Sequence, residues 1–435
     1  MPSRHHEDIP TKSEFAGRLN SSKIQTFFLF GKDRGTSLFY LAFCIYLISY
    51  LLYIIELDSF GIVPKLLLSQ TGKGIAILLL GFKFLTQGNT KKTLSRLLIA
   101  TPFIILSTFF SGDLNMLILL FFVAASPGIQ FTKMAKYATT IEVTFFLVVV
   151  VLYLVGILPT AELEYRPDGT VRYSLGFAHP NACGLVLFSI CLSYSLFRFR
   201  GFRPCDLCLY IPSMLLCWFV LDSRTSFVCI AIIALLSFLI SREMSKRARK
   251  QVMLCFIICF VVFVLLSLLA MFFFNPDNPL FGLLNGLFSG RFYLMHFYFS
   301  SILPMPFGTN WDLIDIQTGS FIGFVCDNAY AHLILQSGYI TGSGFLLLYL
   351  GTFVFYYKKR DLHPEILGLF LCAIFAFSES QAFHFAVNYS LIAFAVLFYS
   401  VDNYKALFRA SWKRCLEIPG DIRNHARMLR GKVRR

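Results

Sequence analysis

The residues of this chain best equipped for chemistry are arginines, histidines, carboxylates and amides set beside long apolar runs. Arg166 and Arg172 share one polar loop, and His179 and Asn181 open the apolar run that follows it. Asp222, Ser223 and Arg224 form a tight turn between two apolar runs. Arg291 and His296 lie on a long polar segment, followed by Asp327, Asn328, His332 and Gln336, and then by Glu379 and His384. A guanidinium fork grips phosphate through paired hydrogen bonds, each contributing about 1.5–3 kcal/mol. Several arginines beside lipid therefore suit a lipid-linked phosphate or diphosphate. The plainer reading of any one arginine is an interface marker or an ion pair with Asp222, Glu162 or Glu164. That reading fits Arg224 least, because a tight turn leaves little room to snorkel.

The stretch "SLGFAHPNACG" at 174–184 poses the same choice. Pro180 suits the first turn of a helix, where its missing N–H is not needed, which makes His179 the N-cap and puts Asn181 in the first turn. "HPN" is then either a helix start alone or a helix start that also aims two polar groups into a cavity.

The elements that must carry these residues are set by composition. The chain of 435 residues is 57% hydrophobic and 14% charged, with 50 phenylalanines. A water-soluble protein of this length could not hide so much apolar surface, so the bilayer is the expected solvent. At roughly 20 apolar residues per crossing, about twelve spans can be placed. They are 36–56, 68–87, 95–111, 114–127, 140–158, 180–198, 206–221, 225–241, 252–274, 336–357, 364–378 and 385–401. The expected fold is an all-α polytopic membrane protein with a polar arm (1–35), a helical membrane domain (36–401) and a basic tail (402–435). The first 35 residues lack an apolar core, so no cleavable signal is expected and the first span stays as an anchor.

The net charge of +15 suggests nucleic acid only until the basic residues are located. With the N-terminus inside, Lys65, Lys73, Arg166, Arg172, Arg224 and Arg291 fall outside, and the other 33 of 39 Lys and Arg fall inside. This positive-inside pattern predicts both termini in the cytoplasm and no nucleic-acid partner. Of 12 cysteines, Cys44, Cys191, Cys217, Cys229, Cys255, Cys259 and Cys372 lie in apolar spans, where they act as small hydrophobes. Cys205 and Cys208 form a CxxC without the second pair or histidine a zinc site needs, so no metal is expected.

Long polar segments are expected on the outer face, at 159–179 and at 275–327 between the ninth and tenth spans. The first holds "EYRPDGTVRYS", whose Asp-Gly between β-prone runs predicts a small hairpin. In the second, 290–303 predicts an amphipathic helix lying at the interface. The midplane is nearly free of charge, and the main exceptions, Glu142 and Lys83, lie toward the cytoplasmic side of their helices, which argues against proton-coupled transport.

Four segments in order, "GFAHPNACG", "DSRTSF", "SGRFYLMHF…PFG" and "CDNAYAHLILQSGYITG", resemble those of the Wzy-like bacterial polysaccharide polymerases, a superfamily that includes the O-antigen ligases. The resemblance covers roughly 170–345, with the SES segment and Asn388 adding to it. It implies a membrane glycosyltransferase of the bacterial inner membrane that takes glycan from an undecaprenyl-pyrophosphate carrier and joins it to an acceptor, with neither metal nor cofactor. It implies pyrophosphate binding by Arg224 and Arg291, with Arg172 a further candidate. A chain-length regulator and a flippase of the same pathway are the implied partners.

One departure matters. The ligase branch carries a histidine followed by Asn, Ser or Gln, then Gly and a Gly, Thr or Tyr at fixed spacing. Asn328, Gly338 and Thr341 fit that spacing, but Asp327 stands in the histidine's place. The expected proton acceptor is therefore Asp327, with His332, His179 and His296 as alternatives. Asn181, Asn328, Gln336 and His296 are expected to meet sugar hydroxyls, and Tyr293, Tyr298 and Trp311 sugar faces. The Asp favours a polymerase over a ligase. A lipid-linked oligosaccharide flippase should show two related halves and charges within the bundle, and this chain shows neither. A scaffold in an export complex would leave the outer Arg and His cluster unexplained.

Overall fold

A computed structural model describes residues 35–56, 65–158, 164–165, 169, 171–302, 304–310 and 326–399. Residues 1–34 of the expected arm, the basic tail, Arg166 and Trp311 lie outside these residues. The described chain is mostly helical: α1 (Gly35–Tyr53), α2 (Lys65–Thr86), α3 (Lys91–Ser111), α4 (Asn115–Ala124), α5 (Phe131–Leu154), α6 (Pro180–Phe197), α7 (Leu207–Phe219), α8 (Arg224–Ile240), α9 (Lys246–Phe273), α10 (Pro279–Leu287), α11 (Arg291–Ser301), α12 (Ala329–Gln336), α13 (Tyr339–Lys359) and α14 (Pro364–Ala376). Two 3-10 turns, Ser380–Phe383 and Tyr389–Phe394, follow α14.

Among the described residues, α1, α2, α3, α5, α6, α9 and α13 are long and apolar enough to cross a membrane. The other five expected spans each meet an apolar helical segment of only 10–17 residues: α4, Pro204–Phe219, α8, α14 and Tyr389–Phe398. The chain is thus a helical membrane protein, and seven of the expected crossings reach full length. The short elements are shortened by their sequences. Pro204 starts the 3-10 turn that leads into α7, and Ser378-Glu379-Ser380 ends the apolar run of α14.

Burial separates the helices into two kinds. α6 and α14 are buried along nearly their whole length and form the centre, where Phe188 stacks on Phe375 at 3.9 Å. Phe256 of α9 stacks on Phe370 at 3.8 Å from another side. α2, α3, α5 and α9 present leucines and phenylalanines outward, as suits helices whose solvent is hydrocarbon.

Glu142 and Lys83, the two charges expected toward the cytoplasmic side of the spans, are both satisfied. Ser189 Oγ and Ser193 Oγ of α6 donate to the two carboxyl oxygens of Glu142 on α5, at 2.5 and 2.7 Å. Lys83 Nζ donates to the carbonyls of Ala125 and, at 2.9 Å, Pro127. These bonds tie α5 to α6 and α2 to the end of α4.

The expected hairpin is present as two short antiparallel strands, with Glu164 opposite Arg172 and Tyr165 opposite Val171, and Gly169 in the left-handed region at its turn. Its outgoing strand leans on the end of α7, where Tyr173 N–H donates to Val220 O at 3.2 Å. The expected amphipathic helix is α11, which buries Phe292, Met295 and Tyr298. The glycines of "PFG" and of the "SGY" turn have one shared cause. Gly308 and Gly338 press backbone against backbone, so a Cβ on either would collide with the other segment. Tyr339 and Ile340 N–H then bond Met305 O and Pro306 O, each at 3.1 Å.

Candidate functional site

Four helices begin around one hollow, and polar residues at or just ahead of their starts line it. α8 starts with Arg224, in a turn where Asp222 takes a positive φ of 43° and Ser223 N–H bonds Cys217 O at 2.8 Å. That turn sits hard against α6: a Cβ on Gly184 would lie 2.7 Å from the hydroxyls of Ser223 and Ser226. Only glycine lets α6 and the start of α8 approach this closely. α11 starts with Arg291, after a turn in which Ser289 and Gly290 both take positive φ. α6 starts with Pro180 and Asn181, and Asp327 stands just ahead of α12.

The hollow has a volume of about 240 Å³, and Arg172, Arg224 and Arg291 all line it, together with Asn181, Asp222, Ser289, Asp327 and Glu379. Phe375 closes part of its wall. Arg172 is held on two sides: its Nε donates to Leu221 O at 3.1 Å and its Nη2 to Asn181 Oδ1 at 2.6 Å. Arg291 Nη2 faces Asp327 Oδ2 at 3.5 Å, with the arginine side chain only 15% exposed. Arg224 Nε faces Asp222 Oδ1 at 3.4 Å and stays 58% exposed.

The placement of Arg224 and Arg291 is electrostatically unusual. A helix N-terminus carries the positive end of the helix dipole, which favours anions and disfavours cations. Two arginines set there add to that field instead of neutralising it. The natural partner of such a place is an anion of two or more negative oxygens.

The helix-start reading of "HPN" holds, and the cavity reading holds for Asn181 alone, since His179 does not line the hollow. His179 is the N-cap of α6, its Nδ1 accepting from Asn181 N–H at 2.9 Å, and the Asn181 side chain also lines the hollow. The field of His179 reaches Asp327 as well.

Asp327 and Glu379 form the carboxylate side of the hollow. Burial raises Asp327 above the usual carboxylate range, against the opposing pull of Arg291, His179 and Arg172. Burial raises Glu379 to about 8, helped by the negative charge of Asp327 and opposed by a backbone hydrogen bond and Arg291. Two carboxyl groups sharing one recess resist ionising together. Sequence reasoning placed Glu379 on the rim but gave it no role; its signal was the SES segment directly after an apolar run.

Four expected residues lie elsewhere. Asn328 is buried and fully occupied: Oδ1 accepts from Ala331 N–H at 2.9 Å, and Nδ2 donates to Ser267 Oγ and Phe377 O, both at 3.0 Å. It does not line the hollow, and both hydrogens of its amide nitrogen are already committed. It caps α12 and pins it to α9 and to the end of α14. His332 and Gln336 line a second, smaller hollow on another side of α12, with Asp113, Asn115 and His384. The cause is helical phase: Ala329, His332, Leu333 and Gln336 form one stripe of α12, turned away from Asp327. His296 faces Met271 O at 2.9 Å through Nδ1 and packs on Phe274, away from the arginines.

No protein-family model, curated protein or solved structure matches this chain.

Proposed function

We propose that this protein is a membrane glycosyltransferase, a polysaccharide polymerase. It joins oligosaccharide repeat units carried on undecaprenyl pyrophosphate at the outer face of the bacterial inner membrane. The observation that carries the reading is the convergence of Arg172, Arg224 and Arg291 on one hollow that also holds Asp327 and Glu379. In this reading the five short apolar elements complete twelve crossings, both termini face the cytoplasm, and the arginine hollow opens outside.

The chemistry follows from the charges. Arg224 and Arg291 grip the donor's diphosphate and stabilise the charge that grows on it as the anomeric C–O bond breaks. An acceptor sugar hydroxyl attacks that anomeric carbon, and its proton passes to Asp327, whose raised pKa makes the carboxylate a better base. Glu379 is largely protonated near neutrality. It therefore adds an O–H donor beside the diphosphate instead of a repelling charge. Arg172 and Asn181, locked to each other, form the wall nearest the leaving oxygens. One displacement inverts the anomeric centre.

The decisive experiment incubates purified protein with a synthetic undecaprenyl-pyrophosphate repeat unit and resolves products by size. A ladder of multiples supports polymerisation. Transfer of single units onto a different lipid acceptor would point to the ligase reaction, and no product with any acceptor removes the glycosyltransferase reading.

A further inference from the structure

The second hollow and an apolar groove lie side by side, polar and apolar halves of one neighbourhood. Met116 and Leu119 of α4 line both. The groove has a volume of about 480 Å³ and runs between α3, α4 and α13, from Ile340 and Thr341 at one end to Arg96 and Phe398 at the other. Its lips are apolar and outward-facing: Ile99 is 67% exposed and Leu347 68%. In a membrane helix bundle, such a cleft opens sideways into hydrocarbon.

The hollow at its head is built from hydrogen-bonding groups. Asn115 Nδ2 donates to Asp113 Oδ2 at 3.0 Å and meets His384 Nε2 at 3.0 Å, while Asn115 Oδ1 is buried with no hydrogen-bond partner. A buried acceptor left in this state marks a place for a donor. The hollow measures about 20 Å³, room for one water-sized hydroxyl group. Burial lowers His332 to about 4 and His384 to about 3, so both imidazoles are neutral hydrogen-bonding groups. Lys73, whose field reaches His384, does not line the hollow. Carboxylate, amide and neutral imidazole together suit a sugar hydroxyl better than a phosphate.

The wall between the two hollows is thin. Asp327 and Glu379 face the arginines, while Ala329 and Ser380, within two residues of them, face the second hollow.

We propose that this feature is the acceptor site: the polyprenyl chain of a second glycolipid lies in the groove, and one hydroxyl of its sugar enters the Asn115 hollow. The site rests on the glycosyltransferase reading, which is what gives the reaction a lipid-linked acceptor. The hydroxyl held by Asn115 is an anchoring one, and a different hydroxyl of the same acceptor reaches Asp327 in the first hollow.

The test uses the full chain in nanodiscs with photoactivatable polyprenyl diphosphates, one carrying a sugar and one without, and maps labelled peptides by mass spectrometry. Label is expected on α3 and α13, and stronger for the sugar-bearing probe. Gly344→Phe fills the groove, and a Cβ there meets nothing within 4 Å, so the variant keeps its fold and loses the label. Asn115→Leu lowers the sugar-bearing probe about tenfold, the loss of one buried hydrogen bond, to the level of the sugar-free one. Arg224→Ala, which weakens only the diphosphate held in the first hollow, leaves the label on α3 and α13 unchanged. Equal labelling by a photoactivatable phosphatidylcholine, indifferent to Asn115→Leu, overturns the site as ordinary lipid contact. Label that persists where no polymer forms supports the site while refuting the reaction. Polymer formed with no label on α3 or α13 overturns the site alone.

Discussion

Replacing Arg291 by Ala removes more than one charge. The side chain is 15% exposed and faces Asp327 at 3.5 Å, so its bonds to a bound diphosphate would form largely out of water. One charge-assisted hydrogen bond in such a place contributes about 1.5–3 kcal/mol, or roughly 10- to 150-fold in kcat/KM. A second loss adds to this. Without the guanidinium, Asp327 keeps its burial but loses one of the cations that hold its pKa down, so the carboxylate protonates at higher pH. The acid limb of the pH–rate profile is therefore expected to move upward in Arg291→Ala as the rate falls. Arg224 is 58% exposed and pairs with Asp222, so Arg224→Ala lowers the rate toward the smaller end of that range and leaves the acid limb in place. Because both cations address one anion, the double variant should fall by less than the product of the two single losses. The assay is initial-rate polymer formation from a synthetic lipid-linked repeat unit across pH, with thermal unfolding as a check on folding. Wild-type kcat/KM in both single variants, in folded protein, would refute the diphosphate assignment.

Other perturbations separate roles that resemble one another. Glu379 carries a pKa raised to about 8, so a function that needs its proton declines as pH rises through that value; Glu379→Gln keeps the donor and should remove this alkaline limb while leaving the acid limb of Asp327. Asp327→Asn should abolish turnover at every pH while preserving donor binding, measured by equilibrium titration with the lipid-linked repeat unit. Asn328→Ala breaks three hydrogen bonds in a buried place and is expected to cost about 2–4 kcal/mol of stability, read as a lowered thermal midpoint; a raised acceptor KM with unchanged stability would instead restore its sugar-binding role. Gly184→Val should destabilise by about 1–3 kcal/mol, because its side chain must displace Ser223 and Ser226, and activity should fall as the Arg224 turn shifts.

The three arginines were legible in the sequence because each follows a local signal that survives folding. Arg172 lies on the outgoing strand of a hairpin, Arg224 ends a tight turn, and Arg291 follows Ser-Gly. The last two turns place a residue at a helix start whatever the rest of the bundle does. His332 and Gln336 were harder, because their direction depends on the phase of an eight-residue helix, set by where Asn328 caps it. The twelve crossings were partly legible. Apolar content locates a hydrophobic run, but Pro204 and the 3-10 geometry of Tyr389–Phe394 decide how much of it becomes α-helix. Glu379 escaped because its neighbours are serines. Nothing in sequence marks a carboxylate as buried until Asp327 is brought beside it from some fifty residues away.

The Glu142 carboxyl has a consequence for how the protein is made. An acidic side chain near the middle of a single helix costs about 2.5–3.5 kcal/mol on entry into the bilayer, and both of its hydroxyl partners lie on α6. During synthesis, α5 is therefore poorly suited to leaving the translocon by itself. Release as a pair with α6 lets Ser189 and Ser193 cover the acid first, which couples membrane insertion of one helix to translation of the next.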